Sequence, residues 1–253
     1  MREQIIFNNL ILGWFILAAV IFILLFFFTA PYGRHSRNNW GPTVENKTGW
    51  LVMEAPAPLI FAFFFLLGHN TVTVAVIVLL IMWEAHYIHR AFIYPFSLRG
   101  QTRQMPMVVV ALAFVFNIMN GYLNGRYIFT LSEGYTNDWL VDARFIAGLV
   151  LFIAGFVINR RADLALRKLR EPSESDYKIP YGGMYRWISC PNYLGEILTW
   201  TGWAVATWSL PGLAFAVWTI ANLVPRAKAH HSWYHEHFAS YPPERKALVP
   251  LLW

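Results

Sequence analysis

Four apolar stretches carry polar side chains at intervals of three and four residues, a spacing that lines each group up along one helix face. Trp83, Tyr87, Arg90 and Tyr94 form one such stripe, inside the run Glu84-Ala85-His86-Tyr87-Ile88-His89-Arg90. Asn159, Asp163, Leu166 and Arg170 form a second. Asn192, Glu196, Thr199 and Trp203 form a third, and Arg226, His230, Tyr234 and His237 a fourth. Glu54 stands beside Pro56 in another apolar stretch. Ionisable groups in such surroundings are expensive and mark ligand or ion sites. Each group alone has a plainer reading. Arg160, Arg161, Arg167 and Lys168 can snorkel to an interface. A lone Glu84 or His86 can be a helix–helix contact, and Trp stripes usually pack cores. The recurrence of amide, carboxylate, guanidinium and imidazole groups at corresponding helix ends favours a large polar ligand.

A phosphorylated ligand suits this set. A dinucleotide needs cations for its phosphates and amide or acid groups for ribose and nicotinamide. Arg170, Lys178 and Arg186 supply cations, and Gly182-Gly183 allows close backbone approach. The chain has no G-x-G-x-x-G run after a strand, no P-loop and no H-E-x-x-H. His230-His231 has no carboxylate partners at ligand spacing, so no metal site is expected. The single Cys190 excludes a disulfide framework and a cysteine-based metal site.

These groups must be positioned by membrane helices. Of 253 residues, 57% are hydrophobic and only 13% charged, about half the charge of a typical soluble domain. Seven spans are expected, near 8–29, 50–68, 71–93, 105–125, 143–163, 192–209 and 211–225. Pro56 and Pro58 interrupt the second, and Ser209-Leu210-Pro211-Gly212 separates the last two. The seventh is short, with an amphipathic continuation carrying Arg226 to His237. The expected fold is an all-α, seven-transmembrane helical bundle of one domain over 1–253, with the cofactor between helices at the cytoplasmic side. The run from Leu10 to Phe28 lacks the small-residue cleavage site of a signal peptide.

Loop charge sets the orientation. Three Lys and Arg lie in 30–50, three in 89–106, seven in 160–190 and four in 226–253, leaving only Arg2, Arg126 and Arg144 elsewhere. Seven spans put those four segments on one side, which the positive-inside rule makes cytoplasmic. The N-terminus then faces outward and the C-terminus the cytoplasm. The formal charge of +6 lies in short loops between apolar runs, so nucleic acid is not an expected partner.

The chain resembles the steroid 5α-reductase family. The likeness is carried by His86-Tyr87-Ile88-His89-Arg90, Tyr177-Lys178-Ile179-Pro180-Tyr181-Gly182-Gly183 and Asn192-Tyr193-Leu194-Gly195-Glu196. Trp208-Ser209-Leu210-Pro211 and the ending from Arg226 through Tyr241-Pro242 to Pro250 continue it. The C-terminal half, about 106–253, is shared with enoyl-CoA and polyprenol reductases and more distantly with sterol reductases and isoprenylcysteine methyltransferases. In the more variable half, about 1–105, Glu54 and the Tyr87 region argue for the 5α-reductases themselves.

The resemblance implies NADPH-dependent reduction of the C4–C5 double bond of a 3-oxo-Δ4-steroid. Glu54 and Tyr87 would be catalytic, polarising the C3 carbonyl. A phenol hydrogen-bonded to a carboxyl group can aim its O–H at a carbonyl oxygen and stabilise the charge that develops there. Ketosteroid isomerase, on another fold, sets a Tyr and a carboxylic acid on a steroid carbonyl in the same way. Arg90, Tyr94, Arg99, Asn159, Asp163, Arg170, Tyr177, Lys178, Asn192, Glu196, His230 and Tyr234 match the family's cofactor-contacting positions. Tyr32 and Trp50, with Glu54 and Tyr87, match the substrate cavity.

Three residues depart from the family pattern: Lys178 stands where Arg is usual, Met53 where Gln is expected, and Thr199 where an acid is expected. A Lys keeps the phosphate contact as a point charge without the bidentate fork. The resemblance further implies a monomer in the bacterial inner membrane or the endoplasmic reticulum membrane, with a steroid or other lipid-like enone as substrate. Two readings compete with it: the same chemistry on a trans-2-enoyl-CoA or polyprenal, and an S-adenosylmethionine-dependent membrane methyltransferase. A transporter is disfavoured by the lack of repeat halves and paired broken helices.

Overall fold

The computed structural model describes residues 2–35, 40–98, 104–169 and 177–253. The described residues are mostly helical. Helix α1 spans Arg2–Phe27, α2 Asn46–Glu54 and α3 Pro56–Leu66. Helix α4 spans Val74–Ile88, α5 Tyr94–Ser97, α6 Met107–Arg126 and α7 Ala143–Lys168. Helix α8 is Pro191–Thr207 and α9 is Leu210–His237. The sequence gives no sign of two short strands, β1 (Thr43–Glu45) and β2 (Gln104–Pro106), which pair antiparallel with Val44 opposite Met105.

Local chemistry sets the helix ends. Pro56 and Pro191 open α3 and α8, where a missing N–H costs nothing. The Thr73 hydroxyl caps α4 by accepting from the Val76 amide, and Ser209 caps α9 by accepting from Gly212. Trp208, between α8 and α9, takes a left-handed conformation (φ 45°) that makes the sharp turn. Helix α9 runs unbroken through Pro225 to His237, so the expected apolar span and its amphipathic continuation are one helix.

Among the described residues, five helical stretches are long and apolar enough to cross a membrane: Arg2–Phe27, Asn46–Leu66, Val74–Ser97, Met107–Leu131 and Ala143–Lys168. They fall on the first five expected spans. The chain is a multi-pass helical membrane protein. Helices α8 and α9 occupy the sixth and seventh expected stretches but are richer in polar groups. Two of the five spans contain a wider π-helical turn, His89–Ile93 and Tyr127–Leu131. Such turns reset the register of side chains and recur at functional sites.

The chain packs as two compact units. The first takes the described parts of 1–12, 31–98 and 102–146. Its core stacks Trp83 on Phe61, with centroids 4.5 Å apart, and Phe129 edge-on against Phe61. The Trp83 indole donates to the Ala57 carbonyl. Gly121 and Gly125 let α6 lie directly on α3: a Cβ on either would press to about 3.0 Å against Ile60 or Phe64.

The second unit takes the described parts of 13–30 and 147–253. Here α7 and α8 touch through backbone. A Cβ on Gly148, Gly155, Gly195 or Gly202 would collide with the backbone of Ala206, Thr199, Asn159 or Phe152 respectively. Small residues at helix crossings are the usual route to close packing in membranes. Trp200 packs on Phe215 of α9, with centroids 4.1 Å apart. The segment before α8 is tied to the C-terminal segment through Ser189 N to Lys246 O and Cys190 N to Ala247 O bonds.

Candidate functional site

The first unit gathers Glu54, Tyr87, Arg90, Trp50 and Tyr94 around the Pro-interrupted end of α2. Glu54 closes α2, and its carboxylate lies 3.8 Å from Arg90 Nε. The Arg90 guanidinium lies 4.4 Å from the Trp50 ring and 4.9 Å from the Tyr94 ring, and the two rings meet edge-on with centroids 5.3 Å apart. The π-helical turn at His89–Ile93 carries Arg90 and hands the chain to Tyr94. Trp50 and Tyr32 both pack on the buried cluster of Met53, Met105 and Val110. All the expected substrate-side residues therefore share one unit. Arg90 and Tyr94, expected at the cofactor, are placed with Glu54.

Three asparagines of α6, which sequence reasoning missed, complete this set. Asn117 Nδ2 donates to the Met53 carbonyl at 2.7 Å and reaches Glu54 Oε2 at 3.5 Å. Asn117 Oδ1 accepts from the Tyr87 hydroxyl at 3.4 Å, and Asn120 Nδ2 donates to the same hydroxyl oxygen at 3.2 Å. Asn124 Nδ2 bonds both Asn120 oxygens at 3.1 Å. Asn117, Asn120 and Asn124 are all buried. Their spacing of three and four is the one-face pattern used elsewhere, but no carboxylate, cation or imidazole stands beside them between Met107 and Gly125 to mark the stripe.

The second unit gathers the other set. Asn159 Nδ2 donates to the Asn192 carbonyl at 3.0 Å, and Asn192 Nδ2 approaches Asp163 Oδ1 at 3.4 Å. Glu196, one turn along α8, accepts from the Trp200 indole. His230 Nε2 lies 3.0 Å from the Tyr193 hydroxyl, which accepts from Arg226 Nε at 3.1 Å. Asn159, Asp163, Glu196, Arg226 and His230 are buried. Tyr193 and Arg226 thus join the expected residues; Tyr193 lay unremarked inside a quoted motif.

Tyr234, one turn past His230, is buried and stacks on Tyr241 with ring planes 8° apart. Tyr177 packs edge-on against Trp233 of the same helix, and Lys178 is exposed. Gly182 and Gly183 both take left-handed φ, at 82° and 52°, which glycine alone adopts freely. Arg99 and Arg170 lie outside the described residues. No group of three metal-ligating side chains occurs among the described residues.

Beside this set, Ser189 Oγ sits 2.6 Å from His231 Nδ1 and 2.7 Å from the Tyr241 hydroxyl. Burial, with smaller contributions from His235 and Lys246, holds the His231 imidazolium below its usual range. Burial likewise raises the Tyr241 phenol.

Apolar spans carrying buried amide, carboxylate, guanidinium and imidazole groups define a membrane protein with a built polar site, of the kind membrane enzymes use. Comparison with known proteins gives the family. Residues 103–253 match the family described as 3-oxo-5-alpha-steroid 4-dehydrogenase. A steroid 5-alpha-reductase of Gossypium hirsutum is 41% identical over 99% of both chains. One from Arabidopsis thaliana is 39% identical over 91% of this chain and 90% of its own. A 3-oxo-5-alpha-steroid 4-dehydrogenase 1 of Bos taurus is 39% identical over 93% of both. The chain belongs to this family of oxidoreductases.

Proposed function

We propose that this protein reduces the C4–C5 double bond of a 3-oxo-Δ4-steroid with NADPH. The observation that carries the reading is the buried Tyr87 hydroxyl, held by Asn117 and Asn120, with the partly buried Glu54 reached by the same Asn117 amide. A phenol in that setting donates to the C3 carbonyl oxygen. Electron density leaves C5 as the carbonyl is polarised, and negative charge grows on the oxygen. Donors fixed in a low-dielectric site stabilise that charge without reorganising. Glu54 keeps the donor set oriented, and once hydride has reached C5 the resulting enolate takes a proton at C4 from solvent water as its oxygen returns to a carbonyl.

NADPH, when bound, supplies the hydride that reaches C5. The second unit's residues fit it by their chemistry. Asn159, Asp163, Asn192 and Glu196 offer amide and carboxylate groups for ribose and nicotinamide. Arg226, His230 and Lys178 offer cations and donors for phosphates. Trp50 and Tyr32 wall the steroid. Helices α8 and α9 complete seven spans, with the four basic segments and the C-terminus on the cytoplasmic side.

Purified protein incubated with NADPH and testosterone or progesterone is expected to form the 5α-reduced product. No turnover across a panel of 3-oxo-Δ4-steroids overturns the steroid reading. Turnover of a trans-2-enoyl-CoA or a polyprenal in the same panel moves the chemistry to those substrates.

A further inference from the structure

Asn120 is positioned as no packing residue needs to be. It lies on α6, is 1% exposed, and makes polar contacts through both ends of its amide. Its oxygen accepts from Asn124 Nδ2 at 3.1 Å. That contact fixes which end of the amide faces away, because only Nδ2 remains to meet Tyr87. Asn120 Nδ2 then donates to the Tyr87 hydroxyl oxygen at 3.2 Å. A hydroxyl that receives a hydrogen bond must direct its own proton elsewhere. Asn117 Oδ1 accepts it at 3.4 Å, the outer limit of a hydrogen bond. Asn117 is itself held by its 2.7 Å bond to the Met53 carbonyl. The Tyr87 proton is thus kept on the side away from Asn120 Nδ2.

We propose that Asn120 is a positioning residue that sets the direction and acidity of the Tyr87 O–H, with Asn124 fixing the Asn120 amide. The inference rests on the carbonyl-polarising role proposed for Tyr87 and extends it. A donor to the phenolic oxygen stabilises the negative charge that grows there as its proton is drawn to a substrate oxygen. Chains of hydrogen bonds strengthen one another in this way. An acceptor at position 120 would capture the proton instead.

The test is a double-mutant cycle on the full-length protein in detergent, with NADPH and testosterone. Asn120→Leu is expected to lower kcat about tenfold, the worth of one such bond, with the steroid KM changed less than about twofold. In a Tyr87→Phe background the same change is expected to cost less than about twofold. Asn124→Leu, which frees the Asn120 amide to turn, is the second variant. It is expected to cost about threefold and to become silent beside Tyr87→Phe. Equal losses in both backgrounds, or a silent Asn120→Leu, overturn the inference. If Asn120→Leu does not yield folded protein, Asn124→Leu decides by the same comparison. Full activity in Tyr87→Phe alone defeats the carbonyl reading itself, whereas a crippled Tyr87→Phe with a silent Asn120→Leu defeats only this inference.

Discussion

The Asn159 side-chain amide donates to the Asn192 backbone carbonyl over 3.0 Å, one turn from the point where Gly195 meets the Asn159 backbone with no room for a Cβ. The bond exists because two helices touch without side chains between them. Three further glycines, Gly148, Gly155 and Gly202, do the same along the α7–α8 crossing. Close packing and polar placement are therefore one feature of this unit.

Gly195→Leu forces α7 and α8 apart. Overpacking of this kind costs about 1–3 kcal/mol, occasionally more. The expected outcome is a lower thermal midpoint in detergent and weaker NADPH binding together. A variant with wild-type stability and affinity shows that the helices can slide without loss.

Tyr87→Phe removes one donor from the carbonyl site. The expected fall in kcat is about 10²-fold, as for loss of a single oxyanion donor. The ring keeps its contacts with Trp83 and His86, while the buried Asn120 amide loses its acceptor, which should cost about 1–3 kcal/mol of stability. Steady-state assay of the purified variant checks this, and undiminished turnover removes Tyr87 from the mechanism.

Arg90→Lys keeps the charge near Glu54 but loses the guanidinium that lies against both the Trp50 and Tyr94 rings. Each cation–π contact is worth about 0.5–1 kcal/mol at a partly exposed site. Thermal unfolding of the variant should show a loss of about 1 kcal/mol, larger than a surface Arg→Lys change gives.

His231 makes stability depend on pH. Its folded-state pKa is depressed by burial, so the neutral ring is favoured in the folded protein. Below the unfolded value, near 6.5, the unfolded chain binds the extra proton first, and acid destabilises the fold. Stability is complete above that value and falls as the pH drops beneath it. The thermal midpoint should rise from about pH 5 to about pH 7, and His231→Gln should flatten that rise while weakening the Ser189 contact.

NADPH should raise the thermal midpoint and S-adenosylmethionine should not. A ligand at 100 times its Kd adds about 2.7 kcal/mol. The reverse pattern would favour the methyltransferase reading.

Much of the first unit's site was visible in the residues. Trp83, Tyr87, Arg90 and Tyr94 read as one stripe, and the structure keeps Trp83 against Tyr87 and Arg90 against Tyr94. The π-helical turn at His89–Ile93 was not visible, because one extra residue in a turn leaves no mark in an apolar pattern. Residues Asn117, Asn120 and Asn124 share a helical spacing, but unlike Asn159 and Asn192 they stand in a stretch with no charged residue to set them apart from ordinary helix contacts. Tyr193 was legible as part of a motif, but its bonds to His230 and Arg226 join two helices, and spacing describes only one.

The sequence by itself determined the helical class, the five most apolar spans and the membership of each polar stripe. These follow from hydropathy and from the fixed geometry of a helix, both local. It also carried, through whole motifs, the resemblance that the family match bears out. Tertiary structure alone decided which stripes meet. It put Glu54 with Arg90 and Asn117, set Asn159 on Asn192, and joined Tyr193 to His230. Those pairings depend on where helices approach closely enough for polar contacts of 3.0 to 3.8 Å. That distance is set by glycines and proline breaks acting on the packed bundle, not by any one helix.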